Sequence, residues 1–251
     1  MLFALISVVV FFNLLFLISI KVQDNSIADV GWGISFVIFS VILYHETEFP
    51  SLSQGLMTLL IVVWGLRLST HIYLRNQGRG EDFRYLEWRN QWGKSFFIRS
   101  YLQVYMLQML VMLIIATPIA IAYFDPIMSD GFVVVGMIIA LYGLVIEVIA
   151  DWQLSQFKRN PANKGKLMTR GLWSWSRHPN YFGEACFWWG IACFVLSSNY
   201  GYLGLISPIV ITFLLRYVSG VPMLEKKYEK RQDFKTYAKN TACFVPFVKR
   251  F

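Results

Sequence analysis

The chain reads as an all-α, polytopic membrane helix bundle of about seven transmembrane helices, with the N-terminus outside and the C-terminus cytoplasmic. Three observations carry that expectation. Hydrophobic residues make up 56% of the 251 positions and charged residues only 15%, far from the balance of a soluble domain. Apolar runs recur at lengths near the roughly 20 residues that cross a hydrocarbon core. The connections between them alternate between basic and non-basic without exception.

The first run, 2–20, has no cationic region before it and no small-residue cleavage site after it, so it reads as a retained helix and not as a signal peptide. The second, 30–44, is short and follows Asp29 in "ADVGWG". The third, 52–74, carries Arg67 and His71 four residues apart, which places both on one helix face. The fourth and fifth are 101–124 and 131–157. In the fifth, Glu147 and Asp151 share a face in the same way, with Lys158 two turns beyond. The sixth, 182–197, is short, and the seventh is 203–219. No repeat or low-complexity tract divides the chain, which is expected to form one domain over residues 1–251.

Charge sets the orientation. Arg75, Arg79, Arg84, Arg89, Lys94 and Arg99 lie between the third and fourth runs, and Lys158, Arg159, Lys164, Lys166, Arg170 and Arg177 between the fifth and sixth. The connections 45–51, 125–130 and 198–202 contain no Lys or Arg. By the positive-inside rule the basic loops face the cytoplasm. The net charge of +8 is therefore explained by topology and by anionic lipid, and gives no reason to expect nucleic acid as a partner. The basic loops are also rich in Gly, Asn and aromatic residues, a variety that insertion alone does not require, and they read as a folded binding surface. The three cysteines form neither an even disulfide framework nor a paired ligand motif, so no metal site is expected.

Ionisable groups at membrane depth cost roughly 2.5–3.5 kcal/mol each on insertion scales and are functional candidates for that reason. Asp29, Arg67, His71, Glu147, Asp151, Glu184 and Arg216 qualify. All fall toward the cytoplasmic ends of their runs, and lipid cannot compensate them, so they should face one another or a polar ligand. A purely structural salt-bridge layer is the competing explanation. At the mouth of the sixth run stands "SRHPNYFGE": Pro179 suits the first helical position, and Arg177, His178, Asn180, Tyr181 and Glu184 gather around it. An amide, a ring and a carboxyl on successive turns suit a flat polar group such as an amide or an adenine.

The stretch "GLWSWSRHPNYFGEACFWWG", with "ADWQLSQFKRNPANKGK" before it and "SGVPMLEKKYEKRQDFKTYAKNTACFVPF" after it, resembles the steroid 5-alpha-reductase-like membrane proteins, in particular their bacterial branch of the DUF1295 type. "DVGWG" and "GRGEDFRYLEWRNQWGKSFF" extend the resemblance over most of the chain. The short RHPNY element is shared with isoprenylcysteine and phospholipid methyltransferases. The resemblance implies an NADPH-dependent reductase, in the bacterial inner membrane, whose cofactor lies toward the cytoplasm and whose hydrophobic substrate enters from the bilayer among membrane lipids. It implies a dinucleotide-contacting set of Asp151, Lys158, Lys166, Asn180, Tyr181 and Glu184, joined by Arg67, Asn76 and Arg79 from the third run and the loop after it; Glu147, Arg177 and His178, beside these positions, are further candidate cofactor contacts. The eukaryotic reductases have arginine at the positions of Lys158 and Lys166 and an asparagine near Glu147. No G-x-G-x-x-G stands in a strand–helix context, so a Rossmann domain is not the binding device. Asp29 is the candidate catalytic proton donor; its competing role is an N-cap of the second helix. Two other functions stay open at this stage, an S-adenosylmethionine-dependent membrane methyltransferase and a non-catalytic lipid-binding protein.

Overall fold

A computed structural model describes residues 1–248. It is all-helical, with no β-strand among the described residues, and it divides into two compact units, residues 1–126 and the chain from Ile127 onward. Among the described residues six helical stretches are long and apolar enough to cross a membrane: Leu2–Val22, Ile27–Glu46, Leu52–Asn76, Phe83–Ile115, Asp130–Arg159 and Gly201–Lys226. The protein is thus an integral, multi-pass membrane protein.

In the first unit α1 (Leu2–Val22) is apolar around its whole circumference and buries only a stripe, Ala4, Val8, Phe12, Leu15 and Ser19. Leu2, Phe3, Ile6, Leu14 and Leu17 on its other sides are exposed, the pattern of a helix solvated by lipid. Gln23, in the left-handed conformation at φ 56°, ends α1 and turns the chain toward α2 (Ile27–Glu46). α2 starts three residues earlier than the sequence suggests, because Ser26 and not Asp29 occupies the cap position; Asp29 falls in the first turn. α3 (Leu52–Asn76) opens on a capping box between Ser51 and Gln54. It crosses α2 at Gly33 and Gly65, where an added Cβ on Gly33 would stand 2.4 Å from the Gly65 carbonyl oxygen.

The expected fourth span, 101–124, is displaced. Helical structure already begins at α4 (Phe83–Trp92) and continues through α5 (Phe96–Ser100), a π-helical turn over Tyr101–Met106 and α6 (Leu107–Ile115). A break at Ala116, just before Pro118, separates α7 (Thr117–Phe124).

In the second unit α8 (Asp130–Arg159) packs along α9 (Pro179–Cys193), and α10 (Ile206–Phe213) packs on α9 in turn. The α8–α9 contact is made by small residues: a Cβ on Gly143 would meet the Gly183 carbonyl oxygen at 2.5 Å, and one on Gly190 would meet the Ala140 backbone nitrogen at 2.3 Å. α9 was expected to cross the membrane as 182–197. It has 15 residues, about 22 Å at 1.5 Å per residue, short of the core thickness, and the chain turns at 194–197 instead of continuing the helix. Among the described residues six helices are long and apolar enough to span, beside the about seven runs expected.

The segment between α8 and α9 is ordered by side-chain hydrogen bonds. Trp173 donates from Nε1 to the Ala150 carbonyl at 3.1 Å, and the Leu172 backbone N–H donates to Gln153 Oε1 at 3.0 Å. After α10 come a π-helical turn (Leu214–Val218), α11 (Val221–Lys226) and α12 (Gln232–Asn240). The following residues run back beside the start of α9, where Arg177 N–H donates to the Ala242 carbonyl at 2.8 Å and Ser176 Oγ to the Phe244 carbonyl at 2.7 Å.

Candidate functional site

Pro179 is the first residue of α9, where its missing N–H costs nothing, and His178 stands at the cap position. From this fixed start, helical periodicity sends Asn180 and Glu184 to one side of α9 and Phe182, Ala185, Cys186 and Trp189 to the other.

On the first side lies a polar cluster. Asn180 Nδ2 donates to Asp151 Oδ1 at 3.1 Å, a bond between α9 and α8. The acceptor identity of Asp151 fixes the orientation of the amide, so Asn180 Oδ1 is the end that remains; it is buried and has no hydrogen-bond partner among the described residues. Glu147 and Glu184 are buried beside this bond, and Gly183 lets the Glu147 backbone approach to within 2.7 Å of where a Cβ would sit. Lys158 and Lys166, at and beyond the end of α8, are exposed.

Arg177 and His178 are engaged elsewhere. Arg177 Nε and Nη2 donate to the two carboxylate oxygens of Glu225, and Nη1 donates to the Ala238 and Thr241 carbonyls at 3.0 and 2.9 Å. Burial works against the Arg177 charge, but the hydrogen bonds and attraction of Glu225 outweigh it and raise its pKa. His178 Nε2 lies 2.9 Å from Glu225 Oε1 and its ring stacks on Tyr181 at 5.7 Å. For this imidazole burial is the stronger influence, Glu225 offsets it only in part, and the pKa is lowered. His178 is therefore neutral at pH 7, with its proton on Nε2. Both residues were expected to touch a dinucleotide; in the structure they tie the head of α9 to α11 and to the chain after α12.

On the other side of α9 a cavity of about 750 Å³ is bounded by Phe182, Ala185, Cys186, Thr212, Arg216 and Phe244. The sequence reading missed it. The sequence marks Arg216 as a charge at membrane depth, within the polar layer, and offers nothing that sets Cys186 or Glu225 apart from their neighbours. The nearest signal was Arg216 itself, an unexplained cation in an apolar run.

The other candidates belong to the first unit. Arg84 Nη2 contacts Asp29 Oδ2 at 2.5 Å and Tyr85 Oη donates to Asp29 Oδ1 at 2.7 Å. Arg84 Nε donates to Asp82, whose pKa is lowered because Arg84 outweighs the effect of burial. Glu81 accepts both prongs of Arg89 at 2.9 Å and the Asn25 N–H at 2.9 Å, while Ser26 Oγ accepts the Asp82 N–H at 2.7 Å. The "GRGEDFRYLEWRN" loop is thus a folded structure pinned to the start of α2. Arg67 is half-buried on α3, Asn76 is the last residue of α3 and accepts from Arg75 Nε at 3.3 Å, and Arg79 is exposed.

A family model described as "Protein of unknown function (DUF1295)" matches residues 15–241. A protein of Ustilaginoidea virens named as the probable O-methyltransferase ustE is 32% identical over 108 residues, which cover 43% of this chain and 36% of the relative. An uncharacterized protein of Schizosaccharomyces pombe is 27% identical over 203 residues, covering 70% of this chain and 59% of the relative. The chain thus spans less than two thirds of each of these relatives. No solved structure matches.

Proposed function

This chain belongs to the DUF1295 family, and from that membership and the geometry of α8 and α9 we propose that it is a membrane enzyme, an NADPH-dependent reductase acting on an activated C=C bond of a hydrophobic enone from the bilayer. The observation that carries the reading is the Asn180 amide. Its Nδ2 end is held by Asp151, and its Oδ1 end is a buried acceptor left for a ligand N–H, such as the amino group of an adenine or a carboxamide. A buried acceptor without a partner costs about 1–3 kcal/mol, which a bound N–H recovers. The exposed Lys158 and Lys166 carry the positive charge that phosphates require, so the residues present fit a dinucleotide. Arg177 stays outside that set because Glu225 and two carbonyls use its donors. When bound, NADPH supplies the hydride. The protein's own part is to hold the amide-bearing end in register through Asn180 and Asp151.

A methyltransferase using S-adenosylmethionine is the second reading, and the named O-methyltransferase relative favours it. Thermal shift on the purified protein separates the two. NADPH is expected to raise the melting temperature and S-adenosylmethionine to leave it unchanged, with Asn180→Ala weakening NADPH at least tenfold. Stabilisation by S-adenosylmethionine alone replaces the reductase reading with methyl transfer. A panel of enones, followed by loss of nicotinamide absorbance, then identifies the substrate.

A further inference from the structure

The cavity on the far side of α9 has its own chemistry. Its volume, about 750 Å³, lies within the range of roughly 300–1,000 Å³ typical of small-molecule sites. Phe182, Ala185, Cys186 and Phe244 give it an apolar wall, and exposed Trp189, Tyr217, Val245 and Val248 continue that surface at the mouth. Its ionic lining is unbalanced. Arg177, Arg216 and Lys239 are cationic, and among the described residues Glu225 is the one carboxylate of the lining, already taken by Arg177 and His178.

Arg216 lies 4.9 Å from the centre of the Tyr217 ring and has no carboxylate partner among the described residues. Thr212, four residues earlier on the same face, lines the same cavity, and its hydroxyl is buried without a hydrogen-bond partner. A guanidinium fork and a hydroxyl donor at one end of an apolar chamber are matched by an oxyanion joined to a hydrocarbon chain.

We infer that this cavity binds a single-chain amphiphile with an oxyanion head, a fatty carboxylate or an alkyl phosphate, its head on Arg216 and Thr212 and its chain along Phe182, Cys186 and Trp189. The site is separate from the proposed dinucleotide contacts, because Asn180 and Glu184 lie on the opposite face of α9. It therefore does not depend on the reductase reading.

The test uses the full chain in nanodiscs with a diazirine-bearing palmitate, crosslinked by light and mapped by mass spectrometry. Labelling is expected in the peptides containing residues 182–189 and 243–248. Excess oleate or dodecyl phosphate should displace it, and which one does so more strongly identifies the head; oleyl alcohol should not. Arg216→Gln should lower labelling at least tenfold with the melting temperature unchanged. Ala185→Phe, which fills the chamber, should do the same. Labelling elsewhere, equal displacement by oleyl alcohol, or full labelling of Arg216→Gln overturns the proposal. Displacement by NADPH also overturns it, by giving the cavity to the nucleotide, whereas failure of NADPH to bind at all leaves the amphiphile result standing and removes only the reductase reading.

Discussion

Arg177 grips Glu225 with two parallel hydrogen bonds, Nε to Oε1 at 2.7 Å and Nη2 to Oε2 at 3.2 Å. The same guanidinium holds the Ala238 carbonyl in the last turn of α12 and the Thr241 carbonyl just after it, so one side chain joins the head of α9, α11 and the end of α12. Lysine offers one charge and no planar fork, so it cannot make these four contacts together. Arg177→Ala is expected to cost about 2–3 kcal/mol, since it strands a half-buried carboxylate and two carbonyls. Arg177→Lys should recover less than half of that. Thermal melting of the full chain in detergent measures both, and an unchanged melting point for Arg177→Ala removes the residue from this role.

His178 makes the same junction sensitive to acid. Burial lowers its pKa below the ordinary histidine value of 6.5, so an unfolded chain takes up a proton before the folded one does. Stability then rises with pH across this window. The contribution is complete above pH 6.5 and is lost as pH falls toward the folded-state value. Melting temperature should drop between pH 7.5 and 5.5, and His178→Gln should flatten that dependence. An equally steep profile in the variant assigns the pH effect to other groups.

The helix bundle was readable because its cause is local: apolar runs such as 2–20 and 131–157 are long enough to declare themselves without knowledge of neighbours. Where tertiary context decides, the sequence misled. The run 182–197 is as apolar as a span, yet α9 stops at Cys193 and lies against α8 through Gly183 and Gly190, a fit that composition does not encode. That Asp151 and Asn180 need polar company was readable, since both are costly near an apolar helix, but their bond to each other depends on how α8 and α9 pack. The capture of Arg177 by Glu225 could not be read, because it joins positions 48 apart across a loop whose path no periodicity fixes. Asp29 shows the same limit. Its depth marked it as functional, but only the fold reveals Arg84 and Tyr85 on its two oxygens.

The α8–α9 contact tolerates no side chain at its crossing points. A Cβ on Gly143 would lie 2.4 Å from the Phe187 backbone nitrogen, and one on Gly183 would lie 2.6 Å from the Gly143 carbonyl oxygen. Both obstacles are backbone, so the helices must separate. Gly183→Ala is expected to cost about 1–3 kcal/mol and to weaken the Asn180–Asp151 bond three residues away. Gly131→Ala, which meets only the Ser129 hydroxyl at 3.6 Å, serves as the control and should be neutral. Melting curves of the two variants, with ligand affinity measured on each, check the contrast; equal behaviour removes close packing as the reason for glycine.

Asp29 can be assigned by its coupling to Arg84. Its carboxylate receives Arg84 Nη2 on one oxygen and the Tyr85 hydroxyl on the other, and Arg84 also reaches Asp82 at 2.9 Å. A group held by two donors at the base of α2 anchors the 77–82 connection, because the same loop returns through Asp82 to Ser26. Asp29→Asn keeps the shape but removes the charge, and Arg84→Gln removes the other half of the pair. Each is expected to lower the melting temperature, and the double variant should be less than additive by on the order of 1 kcal/mol. Tyr85→Phe should show a smaller coupling of the same sign. If Asp29→Asn leaves stability intact while abolishing turnover on an enone, the carboxyl belongs to the chemistry and the anchor is carried by Asp82 and Glu81 alone.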